Sequence, residues 1–229
     1  DKVRDIEFLM QEAASGTVGT LNVALQDTVL TMAPNIFRDF RRRYPNISFI
    51  ARFYHPETLP NLVRTGEVDA GTLHSFDFPP GRDSELFNVL RLFKEKYAVV
   101  VPPNHPFAKR ESIRLEELED QNIVQIPYIS WPRSVDNTIC IALERHQNNY
   151  PDPLDFEDLM LQVKMGLGVA PLVRSIAFGN PRGCPVVEIE GDESDFDVIL
   201  IWKKDNHNPS LPLFLNMIYE AFPNAQLGM

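Results

Sequence analysis

The chain has 229 residues, 44% of them apolar and 24% charged, with a formal net charge of −10. Those proportions suit a water-soluble globular protein with enough residues for two modest cores. They argue against a membrane span, because the longest apolar runs, at 97–103 and 198–202, fall far short of ~20 residues, and the acidic balance argues against a surface that grips nucleic acid directly.

The first residues, Asp1-Lys2-Val3-Arg4-Asp5, lack the profile of a secretory signal and do not begin with Met, so the chain reads as a fragment or a trimmed protein. Val3, Ile6, Met10 and Ala13 share one helical face until Ser15-Gly16, as the tail of a helix continuing upstream would. Leu21, Val23 and Leu25 alternate as in a strand. Asp27 or Thr28 then caps a helix reaching about Tyr44, with Val29, Met32, Ala33, Ile36, Phe37 and Phe40 as its apolar stripe. Arg41-Arg42-Arg43 reads as a solvated helix face in preference to a phosphate contact. A strand at 47–53, a short helix at 56–65 closed by Gly66 and a strand at 68–73 follow. Strands joined by helices imply a parallel sheet with helices on its faces. Ligands of such sheets sit beyond the carboxyl ends of the strands, here the loops at 26–28, 54–57 and 74–77.

A loop rich in Pro, Gly and Asp at 76–84 interrupts this pattern. Extended segments at 90–93 and 97–101 lead to a rigid turn at 102–106. The sequence predicts a short helix at 112–118 capped by Ser112, a strand at 123–126 and an aromatic loop at 127–132. A long helix at 135–147 turns Ile139 and Leu143 inward, with Cys140 beside them, and a further helix covers 156–166. A glycine turn at 166–168 enters a strand, further strands lie at 186–189 and 196–202, and a helix at 211–222 closes the chain.

Four stretches in register make the chain resemble the LysR-type transcriptional regulators in their ligand-binding domain. They are Gly19-Thr20-Leu21-Asn22-Val23-Ala24 with Ala33-Pro34 and 40–47; Leu62-Val63-Arg64-Thr65-Gly66-Glu67-Val68-Asp69-Ala70-Gly71; Tyr97-Ala98-Val99-Val100-Val101 with His105-Pro106-Phe107, Ile113 and Leu118; and Val163-Lys164-Met165-Gly166-Leu167-Gly168-Val169-Ala170. The resemblance implies an α/β fold of two lobes, like type 2 periplasmic binding proteins, joined by two crossover strands near 93–96 and 200–203, with an effector cleft between the lobes. Residues 1–16 would end the linker helix, 17–95 and 202–229 form lobe one, and 96–201 form lobe two. The family binds DNA through an N-terminal helix-turn-helix, which this chain does not contain. Two departures stand out: Pro171 follows the second glycine by three residues, where the family often has five, and Asp27 replaces a small hydroxyl residue at the first helix.

On this reading Gln26, Asp27, Thr28, Tyr54, His55, Pro56, His74 and Ser75 line the cleft from lobe one, and Pro127, Tyr128, Ile129, Trp131 and Arg133 from lobe two. Each has a plainer alternative. Asp27 is equally a helix cap, whose charge disfavours a carboxylate effector at that helix start, which leaves Thr28 as donor. His55 and His74 are ligand contacts or ordinary surface histidines, and they lack a third residue spaced to hold a metal. The aromatics are a pocket wall or core filling. As a wall they suit an aromatic or largely apolar effector, with Arg133 available for an acid.

No Gly-x-Ser-x-Gly, His-Glu-x-x-His, phosphate-binding glycine loop or Cys-x-x-Cys occurs, so enzymatic chemistry and cofactors find no support. Cys140 and Cys184 are too few and too separated for a disulfide framework or zinc site, and a reducing cytoplasm is the simplest compartment. The peroxide-sensing branch of the family uses two nearby cysteines, a pairing this spacing does not suggest. The expected function is effector sensing that modulates DNA binding by the absent head. A homodimer of the sensor domain is expected through the helices at 28–44 and 135–148, and a homotetramer of the full-length protein, with no membrane partner. A solute-binding protein of periplasmic type and an enzyme on the same fold are the alternatives.

Overall fold

The computed structural model describes residues 16–26, 28, 33–78, 85–127, 131–146, 150–179 and 181–228. The helical tail expected at 1–14, and Val29 and Met32 of the first helical stripe, lie outside them. The chain forms two units, Asp1–Phe93 with Asp197–Met229 and Lys94–Phe196, so it passes from one to the other twice.

In the first unit β1 (Gly19–Leu25) runs parallel to both β2 (Ile47–Phe53) and β3 (Ala70–His74). Leu21, Val23, Ala24 and Leu25 are all buried, as in a strand covered on both faces. Helix α1 (Ala33–Arg43) brings Phe37 and Phe40 against Phe49 of β2 and Phe214 of α6 (Leu211–Ala221), with ring centres 5.2 Å apart for Phe37–Phe49 and 5.7 Å for Phe40–Phe214. A second cluster gathers Leu59 and Val63 of α2 (Leu59–Thr65) with Ala24, Leu73, Ile199 and Ile201.

The Gly66-Glu67-Val68-Asp69-Ala70-Gly71 stretch carries structural tasks throughout. Gly66 takes φ 77° to end α2, a conformation glycine adopts without penalty. The Asp69 carboxylate accepts the Asn22 backbone N–H at 2.8 Å, tying β1 to the start of β3. A Cβ on Gly71 would lie 2.3 Å from Leu59 Cδ2, so its absence lets α2 seat on the sheet.

The three parallel strands form only half of this sheet. Its order is β10-β4-β9-β3-β1-β2, and β9 (Phe196–Lys203) runs antiparallel to β3 from residue 198 to 202. The expectation of a parallel sheet is corrected to a mixed one. The reason is that β9, buried throughout 198–202, fills the open side of β3 on its return. Strand β4 (Phe87–Glu95) and the short β10 (Gln226–Leu227) complete it.

The second unit is built on β5 (Tyr97–Val100), buried along its length, in the sheet order β6-β8-β5-β7. Strands β7 (Ala170–Val173) and β8 (Val186–Ile189) flank it antiparallel, and β6 (Ser112–Ile113) joins the far side of β8. Leu159, Met160 and Val163 of α4 (Phe156–Lys164) and Ala177 of α5 (Arg174–Gly179) pack on its core.

Three expectations change here. Ser112 does not cap a helix: its Oγ donates to Glu190 at 2.7 Å, Ile113 pairs with Ile189, and a 3-10 turn begins only at Leu115. The strand expected at 123–126 is a single bridge, Ile123 to Val169, because the chain turns away towards Pro127. In α3 (Arg133–Arg145) the buried face is Val135, Thr138, Ile139 and Ala142, while Cys140 and Leu143 are exposed. Helix α5 carried too few periodic apolar positions to be read.

The two glycines of the 166–168 turn differ in kind. Gly166 has φ 81°, whereas a Cβ on Gly168 would sit 2.4 Å from the Asn122 carbonyl oxygen. Gly168→Ala should therefore lower unfolding free energy by about 1–3 kcal/mol in urea titration, because backbone cannot yield as a side-chain tip does; an unchanged midpoint would contradict this close approach.

Arg110 grips Glu117 through Nη1–Oε1 at 2.6 Å and Nη2–Oε2 at 2.9 Å. Hydrogen bonds from the Arg110 side chain and then from the Arg114 backbone N–H hold the Glu117 carboxyl down from 4.5 to about 2. A depressed folded pKa adds stability above the unfolded value, and that contribution is lost as pH falls from about 4.5 through about 2. Carbon-13 NMR titration should find Glu117 still ionised at about pH 3, and Arg110→Ala should move its midpoint towards 4.5.

Candidate functional site

Strands β1 and β3 are parallel neighbours, so their carboxyl ends lie side by side. The residues just beyond them form a connected polar cluster. Gln26 is buried, and its backbone N–H donates to Thr72 Oγ1 at 3.3 Å. Its side chain bridges two further groups: Oε1 accepts the His74 backbone N–H at 2.7 Å, and Nε2 donates to Asp77 Oδ2 at 2.9 Å. That carboxylate also lies 3.5 Å from His74 Nδ1, and the two side chains are only 5% and 12% exposed. A carboxylate facing Nδ1 favours the neutral ring's proton there, which leaves Nε2 to accept from the Thr28 hydroxyl it contacts. The chain Gln26–Asp77–His74–Thr28 thus holds an imidazole and a hydroxyl in fixed orientation. Phe76 lies 5.1 Å from the imidazole, ring centre to ring centre.

The structure brings Gln26, Thr28 and His74 of the expected residues together. Ser75 faces a different partner, accepting the Asp197 backbone N–H on Oγ at 3.2 Å. Tyr54 packs on the Leu59–Val63 cluster, and its N–H donates to the Leu25 carbonyl at 3.2 Å. His55 is exposed, 4.0 Å from Glu57, and its carbonyl accepts the Thr58 N–H and hydroxyl ahead of α2, with Pro56 half-buried beside it. Asp27, Tyr128 and Ile129 lie outside the described residues.

In the second unit Trp131 sits 4.9 Å from the ring of Tyr97, itself 5.4 Å from Phe196. Pro127 is half-buried, and Arg133 is exposed at the first turn of α3. Thr72, Phe76 and Asp77 were not singled out in the sequence. Thr72 lies two residues before His74 on the same strand face, a spacing legible in the sequence, whereas Asp77 lies three after it on a 3-10 turn (Ser75–Asp77) that leaves no such period.

A concavity of about 890 Å³ lies elsewhere in the first unit, lined by Phe37, Arg38, Arg41, Arg42, Ile47 and Phe49 among others. It opens at the amino end of β2, opposite the edge where α/β sheets receive ligands, so the polar cluster is the better candidate. Arg38 and Arg42 approach Asp39, at 3.8 and 3.5 Å, and Arg43 pairs with Glu220 at 3.2 Å.

Among the described residues no three metal-ligating side chains gather, and no helix is long and apolar enough to cross a membrane. Both cysteines are free thiols, Cys140 exposed and Cys184 buried, and burial pushes the Cys184 thiol up. Iodoacetamide at neutral pH should therefore alkylate Cys140 well before Cys184, read by peptide mass spectrometry, since the thiolate is the reacting form. Equal rates would contradict the burial of Cys184.

A sequence profile described as the LysR substrate binding domain matches residues 14–223. AlsR, a helix-turn-helix-type transcriptional regulator of Bacillus subtilis (strain 168), is 22% identical over 91% of this chain and 68% of its own. Among curated relatives the chain spans 30–78% of their length. A hydrogen-peroxide-bound mutant of OxyR from Corynebacterium glutamicum has the same fold, with TM-score 0.72 and 18% identity over 97% of this chain and 71% of that one. So does the effector binding domain of a BenM variant, with TM-score 0.70 and 15% identity over 89% of this chain and 94% of that one. The curated relatives are transcriptional regulators in place of enzymes, and the two α/β units have the two-lobed architecture of periplasmic binding proteins joined by crossover strands. With the profile covering nearly the whole chain, this protein belongs to the LysR substrate-binding domain family, as an effector-sensing domain of a LysR-type transcriptional regulator.

Proposed function

We propose that the domain senses a small molecule at the carboxyl edge of its first sheet, where Thr28, oriented by His74, supplies the hydrogen-bonding group and Phe76 an aromatic neighbour. The observation that carries this reading is the Gln26–Asp77–His74–Thr28 chain. It immobilises donors and acceptors where parallel strands end, at a cost in buried polar groups that packing alone does not require.

The charge at this edge selects the effector class. Asp77 is a buried carboxylate, and the groups in contact with it are a neutral amide and an imidazole. A ligand carboxylate beside it would meet like charge at low dielectric. A neutral aromatic bearing a hydroxyl or amide fits better, since its O–H or N–H can donate to the Thr28 hydroxyl oxygen that His74 orients, and its ring can lie against Phe76.

In the full-length regulator, a cytoplasmic DNA-binding protein on this proposal, effector binding biases the conformation that positions the DNA-binding heads. Driving such an equilibrium from 1:99 to 99:1 takes a preference of about 5.5 kcal/mol. Two sensor domains pair through the faces of α1 and α3, within a homotetramer.

Isothermal titration of the chain with phenols and aromatic amides, aromatic acids and small polar metabolites tests this. Neutral aromatics should bind, and His74→Ala and Thr28→Ala should each weaken them at least about tenfold, or ~1.4 kcal/mol. Binding confined to strongly polar metabolites, or unchanged by His74→Ala, would overturn it.

A further inference from the structure

The concavity at the amino end of β2 is not used by the effector reading, and its chemistry differs from that of the polar cluster. Its lining comes from α1 between residues 37 and 42 and from residues 45–49, the turn after α1 and the start of β2. At about 890 Å³ it falls within the roughly 300–1,000 Å³ of small-molecule sites. Phe37 and Phe49 are half-buried, with ring centres 5.2 Å apart, and both keep a surface towards the concavity.

The fold divides the basic run that the sequence groups together. Arg43 turns away, pairing with Glu220 at 3.2 Å with its guanidinium 5.7 Å from the Tyr44 ring centre. Arg41 and Arg42 instead share a helix face with Arg38, one turn earlier, and all three line the concavity. Arg38 and Arg42 approach the same Asp39 oxygen at 3.8 and 3.5 Å, and Arg41 has no carboxylate within 4.0 Å among the described residues. No aspartate or glutamate is among the lining residues. Three guanidiniums against one shared carboxylate leave two positive charges unbalanced, on a chain whose net charge is −10. Offsetting the partial negative charge at the helix C-terminus accounts for basic residues in its last turn, but Arg38 lies before that turn.

We infer that this concavity is a second ligand site, which takes a small phosphate monoester carrying a ring. Near neutral pH such a phosphate bears almost two negative charges, which match the two left unbalanced, and its oxygens suit the guanidinium fork. Inorganic phosphate would fill little of the volume. A ring attached to the phosphate covers Phe37 and Phe49 and can stack on a guanidinium plane. The site does not depend on the effector reading, since Arg38, Arg41 and Arg42 take no part in the Gln26–Asp77–His74–Thr28 chain.

Isothermal titration of the chain at about 50 mM salt, where exposed charges are least screened, tests it with adenosine monophosphate as the probe. Adenosine, benzoate and inorganic phosphate lack the phosphate, the second charge and the ring respectively, and each should bind at least tenfold more weakly. R41E, and R38Q combined with R42Q, change exposed side chains. Both should weaken adenosine monophosphate at least tenfold without moving the thermal midpoint. Duplex DNA of random sequence presents phosphate diesters on a convex backbone and should compete poorly. No binding of adenosine monophosphate, binding unmoved by either variant, adenosine or benzoate binding as tightly, or displacement by duplex DNA at equal phosphate concentration would overturn the inference.

Discussion

The carboxylate of Asp77 is buried at the point where β1 and β3 both leave the first sheet, 2.9 Å from the Gln26 amide and 3.5 Å from the His74 ring. A carboxylate in that place costs several kcal/mol unless neighbours satisfy it. Gln26 does so on one side and His74 on the other, and Gln26 cannot turn away without also releasing the His74 backbone N–H. The orientation of His74 and of the hydroxyl it meets therefore follows from the placement of one acid. Networks of this kind hold together or fail together, because an unpaired buried member costs more than a made bond returns.

That cluster depends in turn on the strands being held in place below it. Asp69 ties β1 to the start of β3, Gly71 admits Leu59, and β9 closes the other side of β3 from 198 to 202. Each contact lies on the strands that end in the cluster. The motif running from Gly66 to Gly71 accordingly concerns the platform, and the residues that face a ligand lie just after it.

The first unit was more legible in the sequence than the second, for a physical reason. Its strands and helices alternate at lengths where periods of 2 and 3.6 separate cleanly, so β1, β2 and β3 fell within a few residues of their expected positions. The sheet of the second unit is assembled from strands of two to four residues, with the single bridge at Ile123 beside them, and their pairing partners are remote in sequence and leave no local period. Ser112 looked like a cap because capping and cross-strand hydrogen bonding use the same hydroxyl. At the candidate site, Gln26, Thr28 and His74 were legible from the rule that ligands gather at strand carboxyl ends. Asp77 was not, because burial of a carboxylate three residues past a histidine is decided by the turn between them.

The central claim is that the held polar cluster, and not the arginine-lined concavity at the amino end of β2, receives the effector. A crystal structure of the chain with the tightest-binding neutral aromatic decides between them. A ligand N–H or O–H is expected within about 3 Å of Thr28 Oγ1, with its ring against Phe76. A ligand seated instead among Arg38, Arg41 and Arg42, with the cluster unchanged, would contradict it.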